Sequence, residues 1–186
     1  MNSSPGTPEH HTGRLLATAR SRETHPSEGI VMSIDYEFAG WFPFQDPADE
    51  AMRVVADVMG VPAASTTIQH GGLRVYADVP EDDERREIRR HLGFDANLTL
   101  LFTPYGPDDA LTEGQRTMLR SVAALARRGV RGLLFGDYGS DESLILRSGD
   151  EGLVLNESWI GWQGPPDLRS AIPEPYSTEL LSFTSG

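Results

Sequence analysis

Histidine and carboxylate side chains are the groups in this sequence that could carry acid–base chemistry. Three of the five histidines lie in the first 29 residues, which leaves His70, next to Gly71-Gly72, and His91. His70 could act as a general base, but no serine or acid accompanies it at a convincing spacing, so an exposed turn histidine is the favoured interpretation. A hydrolase that uses a pair of the 28 acidic side chains is the other enzymatic alternative.

The segment from Asp137 to Glu142 places three acids, Asp137, Asp141 and Glu142, within six residues. A calcium loop needs about twelve residues with spaced ligands and a late bidentate glutamate, so a hairpin turn fits this segment better. Trp159 and Trp162 could anchor a regulatory protein-interaction module, although aromatic rings at the end of a sheet more often cover a core. No glycine-rich stretch has the spacing of a phosphate loop. We therefore predict no metal site and no cofactor.

The charge composition excludes several classes of protein. All 16 basic residues are arginine, lysine and cysteine are absent, and the formal net charge is −12. Lysine Schiff-base chemistry, thiol nucleophiles, disulfides and thiolate zinc sites are thereby excluded. A chain this acidic repels nucleic-acid phosphates and attracts basic proteins, so we predict no nucleic-acid partner. The absence of cysteine is consistent with a cytoplasmic location.

The chain divides by composition into three parts. Residues 1–29 are rich in small and polar residues and predict a disordered leader, and Met32 is a candidate start of translation. Residues 30–162 predict a single α+β domain, and residues 163–186 a proline-rich irregular tail. No apolar run approaches the roughly 18 residues that span a bilayer, so we expect no membrane insertion.

Local signals predict two main helices. The first begins at Asp46 as N-cap and ends before Gly60, and the second runs from a capping box of Thr112 and Gln115 to about Arg128. Alternating polar and apolar side chains predict about six or seven strands, over residues 30–39, 66–70, 73–79, 96–103, 132–137, 143–147 and 153–157. Hairpins outnumber helical crossovers, so we predict a mostly antiparallel sheet with the two helices packed on one face.

Between the third and fourth predicted strands lies a charge run, residues 81–91. Its acids precede its arginines at i,i+4 spacing, which predicts a short, solvated helix anchored by Ile88 and Leu92. Caps and turns account for most acids elsewhere in the chain. Two groups remain as a candidate surface for a basic partner: Asp82, Asp83 and Glu84, and Asp137, Asp141 and Glu142.

Several hydrophobic segments of the chain resemble one family. Residues 32–38 (MSIDYEF), Leu92-Gly-Phe-Asp95 before a strand, and the strands around Leu133-Leu-Phe135 and Leu153-Val-Leu-Asn156 are similar to the swarm-inhibition (Sit) immunity proteins. The resemblance covers about residues 32–162. It implies a cytoplasmic, non-enzymatic protein that binds and neutralises a cognate toxin delivered by a neighbouring bacterium, and it offers no catalytic residues to transfer.

Overall fold

The structure is a computed structural model, and it describes residues 35–137, 142–160 and 168–182. Its central element is an eight-stranded sheet in the order β2-β3-β4-β1-β5-β6-β7-β8. All neighbouring strands are antiparallel except β7 and β8, which are parallel. The strands are β1 (Tyr36–Trp41), β2 (Thr67–His70), β3 (Leu73–Asp78), β4 (Leu98–Pro104), β5 (Arg131–Asp137), β6 (Glu142–Gly149), β7 (Gly152–Asn156) and β8 (Tyr176–Glu179).

Four α-helices and one 3-10 turn accompany the sheet in the described part of the chain. They are α1 (Pro47–Met59), α2 (Asp82–Leu92), α3 (Asp108–Arg127), α4 (Glu157–Ile160) and the 3-10 turn Leu168–Ala171. The α+β class and the mostly antiparallel sheet are confirmed, and the sheet has one strand more than the upper predicted number. None of the described helices is both long and apolar enough to cross a bilayer.

Helix α1 follows its sequence signals closely. The carboxylate of Asp46 accepts a hydrogen bond from the backbone N–H of Asp49, and Pro47 occupies the first turn, where a missing N–H costs nothing. Gly60 ends the helix in the left-handed conformation, with φ of 69°. Both boundaries are therefore set by residues adjacent in the chain.

Helix α3 begins four residues before the predicted capping box. Its N-cap is Pro107, which makes no side-chain cap hydrogen bond, so the prediction that Thr112 and Gln115 cap this helix is wrong. The Gln115 Nε2 instead donates to the hydroxyl of Tyr36 at 2.8 Å. Gln115 thus joins the interior of the helix to the first strand of the sheet.

The main hydrophobic core lies between one face of the sheet and helices α1 and α3. Phe38 and Phe102, from neighbouring central strands, are fully buried there, together with Met52 of α1 and Leu119 of α3. The predicted packing of both main helices on one face is therefore confirmed.

Helix α2 lies on the opposite face of the sheet. Its Ile88 is 2% exposed and belongs to a second apolar cluster with Ala39, Ala96, Leu133, Phe135 and Leu144. These strand residues alternate with those of the main core, as successive side chains of a strand do. Ile88 is therefore a buried contact between the charged helix and the sheet, as its position in the sequence predicts, and the side chain of Leu92 lies outside the described part.

The region predicted as an irregular tail contributes to the sheet. Tyr176–Glu179 form β8 and pair with β7, with Tyr176 opposite Leu153 and Glu179 opposite Asn156. The tail is therefore only partly irregular in its described residues. Residues 1–34 lie outside the described part, so the predicted leader, the Met32 start and the first residues of the predicted first strand stay predictions.

Strand direction defines two ends of the sheet. Strands β1, β3 and β6 finish at Trp41, Asp78 and Gly149, at the same end where β4, β5 and β7 begin. We call this the Trp41 end. The opposite end carries the last residue of β5, Asp137, about 20 Å from the first residue of that seven-residue strand.

Candidate partner-binding surface

The first predicted acidic group lies in the first turn of α2. Asp82 and Asp83 are exposed, and neither has an ion-pair partner among the described residues. The Arg85 Nε donates to the carbonyl of Pro80 at 3.0 Å, which holds this turn close to the end of β3. Glu84 belongs to the same turn of backbone. This group is therefore at the Trp41 end of the sheet.

The second predicted acidic group lies at the other end of the sheet. Asp137 and Glu142 are opposite each other as the outermost described pair of the β5–β6 hairpin. Asp141 lies outside the described residues. The hairpin predicted for this segment is present in its two strands, but the fold places the two acidic groups at opposite ends of the sheet.

Further exposed acids surround the Trp41 end. Asp95 lies just before β4, and Asp150 and Glu151 form the turn between β6 and β7. Their side chains are 65%, 86% and 82% exposed. Each is within ion-pair distance of an arginine: Arg89 with Asp95 at 3.4 Å, Arg131 with Asp150 at 3.3 Å, and Arg147 with Glu151 at 4.0 Å. Exposed pairs of this kind stabilise a fold little, so their carboxylates stay accessible to a partner.

An aromatic and arginine cluster occupies the centre of this end. The guanidinium carbon of Arg131 lies 5.6 Å from the ring centroid of Trp41 and 5.9 Å from that of Phe94. Trp41 and Arg131 are opposite each other in the β1–β5 pair, and the Trp41 side chain is 41% exposed. Sequence reasoning missed this cluster. The sequence did contain one signal, a tryptophan at a strand position where the alternation places polar side chains. It contained no signal that Arg131, 90 residues later, would lie beside this tryptophan.

His70, the histidine considered for catalysis, does not line the cleft that the described residues form at the start of α1. His70 is an exposed residue at the end of β2, where it pairs with Leu73. This open cleft has a volume of about 510 Å³. Its acids include Asp46, which caps the helix, and Glu50, which pairs with Arg53 and Arg128.

Of the two tryptophans considered as anchors, the structure describes one. Trp159, in α4, is half-buried and packs against the main core, as the core-cover interpretation predicts. Trp162 lies outside the described residues. Among the residues that the structure describes, no three histidine or carboxylate side chains are arranged to hold a metal ion.

Together these features define a small α+β protein with one open sheet and a charged, solvent-exposed end. A family model, SitI3-like, matches residues 34–166 of the 186-residue chain, from the start of β1 through β7 and α4. The chain therefore belongs to the SitI3-like family, in agreement with its resemblance to the Sit immunity proteins. Comparisons with curated proteins and with solved structures found no match.

Proposed function

We propose that this chain is a non-enzymatic immunity protein that binds a cognate bacterial toxin in the cytoplasm and neutralises it. The observation that carries the proposal is the SitI3-like family match, which extends over more than half of the chain. The match begins one residue before the described structure and includes both main helices and seven of the eight strands. It therefore concerns the folded domain as a whole, and not one local motif.

The charge of the chain supports a basic toxin as the partner. The formal net charge is −12, and the exposed acids Asp82, Asp83, Asp95, Asp150 and Glu151 are brought to the Trp41 end from three separate segments. Asp82 and Asp83 have no ion-pair partner among the described residues, and unpaired surface charge of one sign attracts an oppositely charged partner and accelerates encounter. We therefore place the toxin-binding surface at the Trp41 end, with Asp82, Asp83 and Glu84 as part of it.

The second acidic group is distant from the toxin-binding surface proposed at the Trp41 end. Asp137 and Glu142 are at the opposite end of the sheet, about 20 Å away along β5. A standard protein interface buries about 800 Å² on each partner, a patch about 30 Å across, so an interface centred on the Trp41 end extends about 15 Å from its centre and stops short of the far end of β5. Asp137, Asp141 and Glu142 remain proposed partner residues, and they are secondary to the α2 group.

Neutralisation by binding is tested by co-expression with the toxin gene that neighbours the gene for this chain. We expect rescue of growth in a toxin-sensitive bacterium and recovery of a complex of the two proteins at low ionic strength. An unrelated protein of equal size and negative charge serves as the control for nonspecific attraction. Absence of both rescue and complex would contradict the proposal.

A titration distinguishes binding from enzymatic inactivation. A binding protein protects in proportion to its amount, so residual toxin activity should fall to zero near one equivalent, with the mass of the toxin unchanged. Protection by a small fraction of an equivalent, with a covalent change in the mass of the toxin, would instead assign the chain to the enzymes.

A further inference from the structure

The exposed ring of Trp41 lies among acids at one end of the sheet. We propose that Trp41 is the apolar anchor of the toxin complex and inserts into an apolar pocket whose rim carries arginine or lysine side chains. This inference rests on the proposed immunity function and adds to it the chemistry of the contact surface. Nothing in the sequence motifs or in the family match singles out this residue.

Trp41 is held in place before any partner arrives. Its ring is covered on one side by the guanidinium of Arg131, which also contacts Phe94 and donates a hydrogen bond to Asp150 at 3.3 Å. Arg131 is the direct neighbour of Trp41 across two paired central strands of the sheet, so both backbones are fixed. A side chain that is already ordered loses little conformational entropy on binding, and this favours its use as an anchor.

The exposure of Trp41 distinguishes it from the other large apolar side chains. In the described residues only Trp41, Val79 and Leu180 are large, hydrophobic and exposed. Trp41 is the only aromatic residue of the three, and aromatic rings and arginine are the residue types most enriched at binding hot spots. Trp159, by contrast, packs against the main core.

The charges around Trp41 specify the chemistry of the partner. Asp95, Asp150 and Glu151 expose between 65% and 86% of their side chains, and the charge of Arg131 is balanced by Asp150. Arg89 and Arg147 likewise pair with Asp95 and Glu151. Asp150 and Glu151 are, however, about twice as exposed as Arg131 and Arg147, at 41% and 44%, so carboxylates are the outermost charges of these two pairs. The complement of the ring and these carboxylates is an apolar pocket with a cationic border, which fits a basic protein and not a nucleic acid, whose phosphates the acids would repel.

Alanine substitution of two exposed apolar residues tests the proposal, and the measured quantity is the Kd for the toxin used in the co-expression experiment. Trp41→Ala should weaken the Kd at least about 30-fold, the effect of losing a hot-spot side chain. Leu180→Ala is the matched control, because Leu180 is 76% exposed and follows β8 at the opposite end of the sheet, and it should change the Kd less than about 3-fold. A tight complex with Trp41→Ala, or a larger effect of Leu180→Ala, would overturn the inference and leave the immunity function intact.

Fluorescence gives a readout that does not depend on the folding of the alanine variant. Trp159→Phe with Trp162→Phe leaves Trp41 as the single tryptophan of the chain. Addition of toxin should shift its emission to the blue and protect it from acrylamide. Unchanged Trp41 emission in a complex that forms normally would overturn the inference. Protection of Trp41 from acrylamide through self-association of the chain, in the absence of toxin, would also overturn it. If the parent chain forms no complex, the immunity proposal and this inference both fall.

Discussion

Asn156 forms a two-way hydrogen-bonded pair with the backbone of Leu181. The Asn156 Nδ2 donates to the Leu181 carbonyl at 3.1 Å, and the Leu181 N–H donates to Oδ1 at 3.3 Å. The same amide donates to the carbonyl of Leu144 at 2.6 Å and accepts from the backbone and hydroxyl of Ser158. Asn156 is 3% exposed, and Leu181 packs against the apolar cluster around Ile88. One buried side chain therefore fixes the segment after β8 to the α2 face of the sheet.

We expect Asn156→Ala to detach this segment. The substitution leaves the buried carbonyl of Leu144 and partly buried backbone groups of Leu181 and Ser158 without this partner, at a cost of about 2–4 kcal/mol in the free energy of unfolding. Urea denaturation measures the loss, and hydrogen exchange should show faster exchange at Leu181 than at β1. Ser158→Ala is the control, since it removes only the hydroxyl contact and should cost less. Unchanged exchange at Leu181 would show that other contacts hold the segment.

Gly114→Ala should destabilise the protein although alanine is the better helix former. A Cβ at Gly114 would lie 2.5 Å from the carbonyl oxygen of Gly72, so helix α3 approaches the β2–β3 turn too closely for a side chain. The gain of about 1 kcal/mol in helix propensity is then outweighed by overpacking against backbone, with an expected net loss of about 1–2 kcal/mol. Gly149→Ala is the control, because its Cβ meets nothing within 4 Å. Thermal unfolding measures the stability of both variants, and a larger loss for Gly149→Ala than for Gly114→Ala would contradict the prediction.

Ile88→Ala should release α2 from the sheet while the main core stays folded. Ile88 is fully buried in the second cluster and fills space beside Leu133 and Phe135. Removal of such a side chain costs about 2–5 kcal/mol. Arg86→Ala, at an exposed position of the same helix, should have little effect. Hydrogen exchange resolved by segment should show loss of protection confined to α2; uniform loss across β1 and α3 would show that the two faces unfold together.

Charge reversal in α2 should slow association with the toxin. Asp82→Lys with Asp83→Lys should lower the association rate constant about tenfold at low salt, with a smaller change in dissociation, because steering acts on the encounter. The difference should shrink at high salt, where the Debye length falls to about 3 Å at 1 M.

The matched control for this charge reversal is Asp108→Lys with Asp109→Lys. These acids are exposed in the first turn of α3 at the opposite end of the sheet, and they also lack an ion-pair partner in the described part of the chain. The control makes the same change in net charge and the same unfavourable contact with a helix dipole. Equal slowing by both double variants in surface plasmon resonance would remove Asp82 and Asp83 from the interface and leave only a net-charge effect.

Local signals predicted helix α1 and the β2–β3 hairpin closely. Asp46, Pro47 and Gly60 act on neighbouring backbone, and Gly71-Gly72 adopt φ of 56° and 80° in a turn that only adjacent residues define. The capping box of α3 failed because Gln115 bonds to Tyr36, 79 residues away, and the helix starts at Asp108. Strand β8 was missed because four residues after a proline-rich stretch become a strand only by pairing with β7.

The sequence by itself determined the α+β class, the acidic character and the family resemblance, because composition, periodicity and turn residues are properties of contiguous chain. The sequence also predicted that Ile88 anchors the charged helix. Only the tertiary structure decided which charged residues are neighbours. Asp82 and Asp137 lie at opposite ends of the sheet because of the directions of β3 and β5. Arg131 lies against Trp41 because β1 pairs with β5. Those relations depend on which distant strands become neighbours, because the hydrophobic pattern of a strand determines which side chains face the core and not which strand lies beside it.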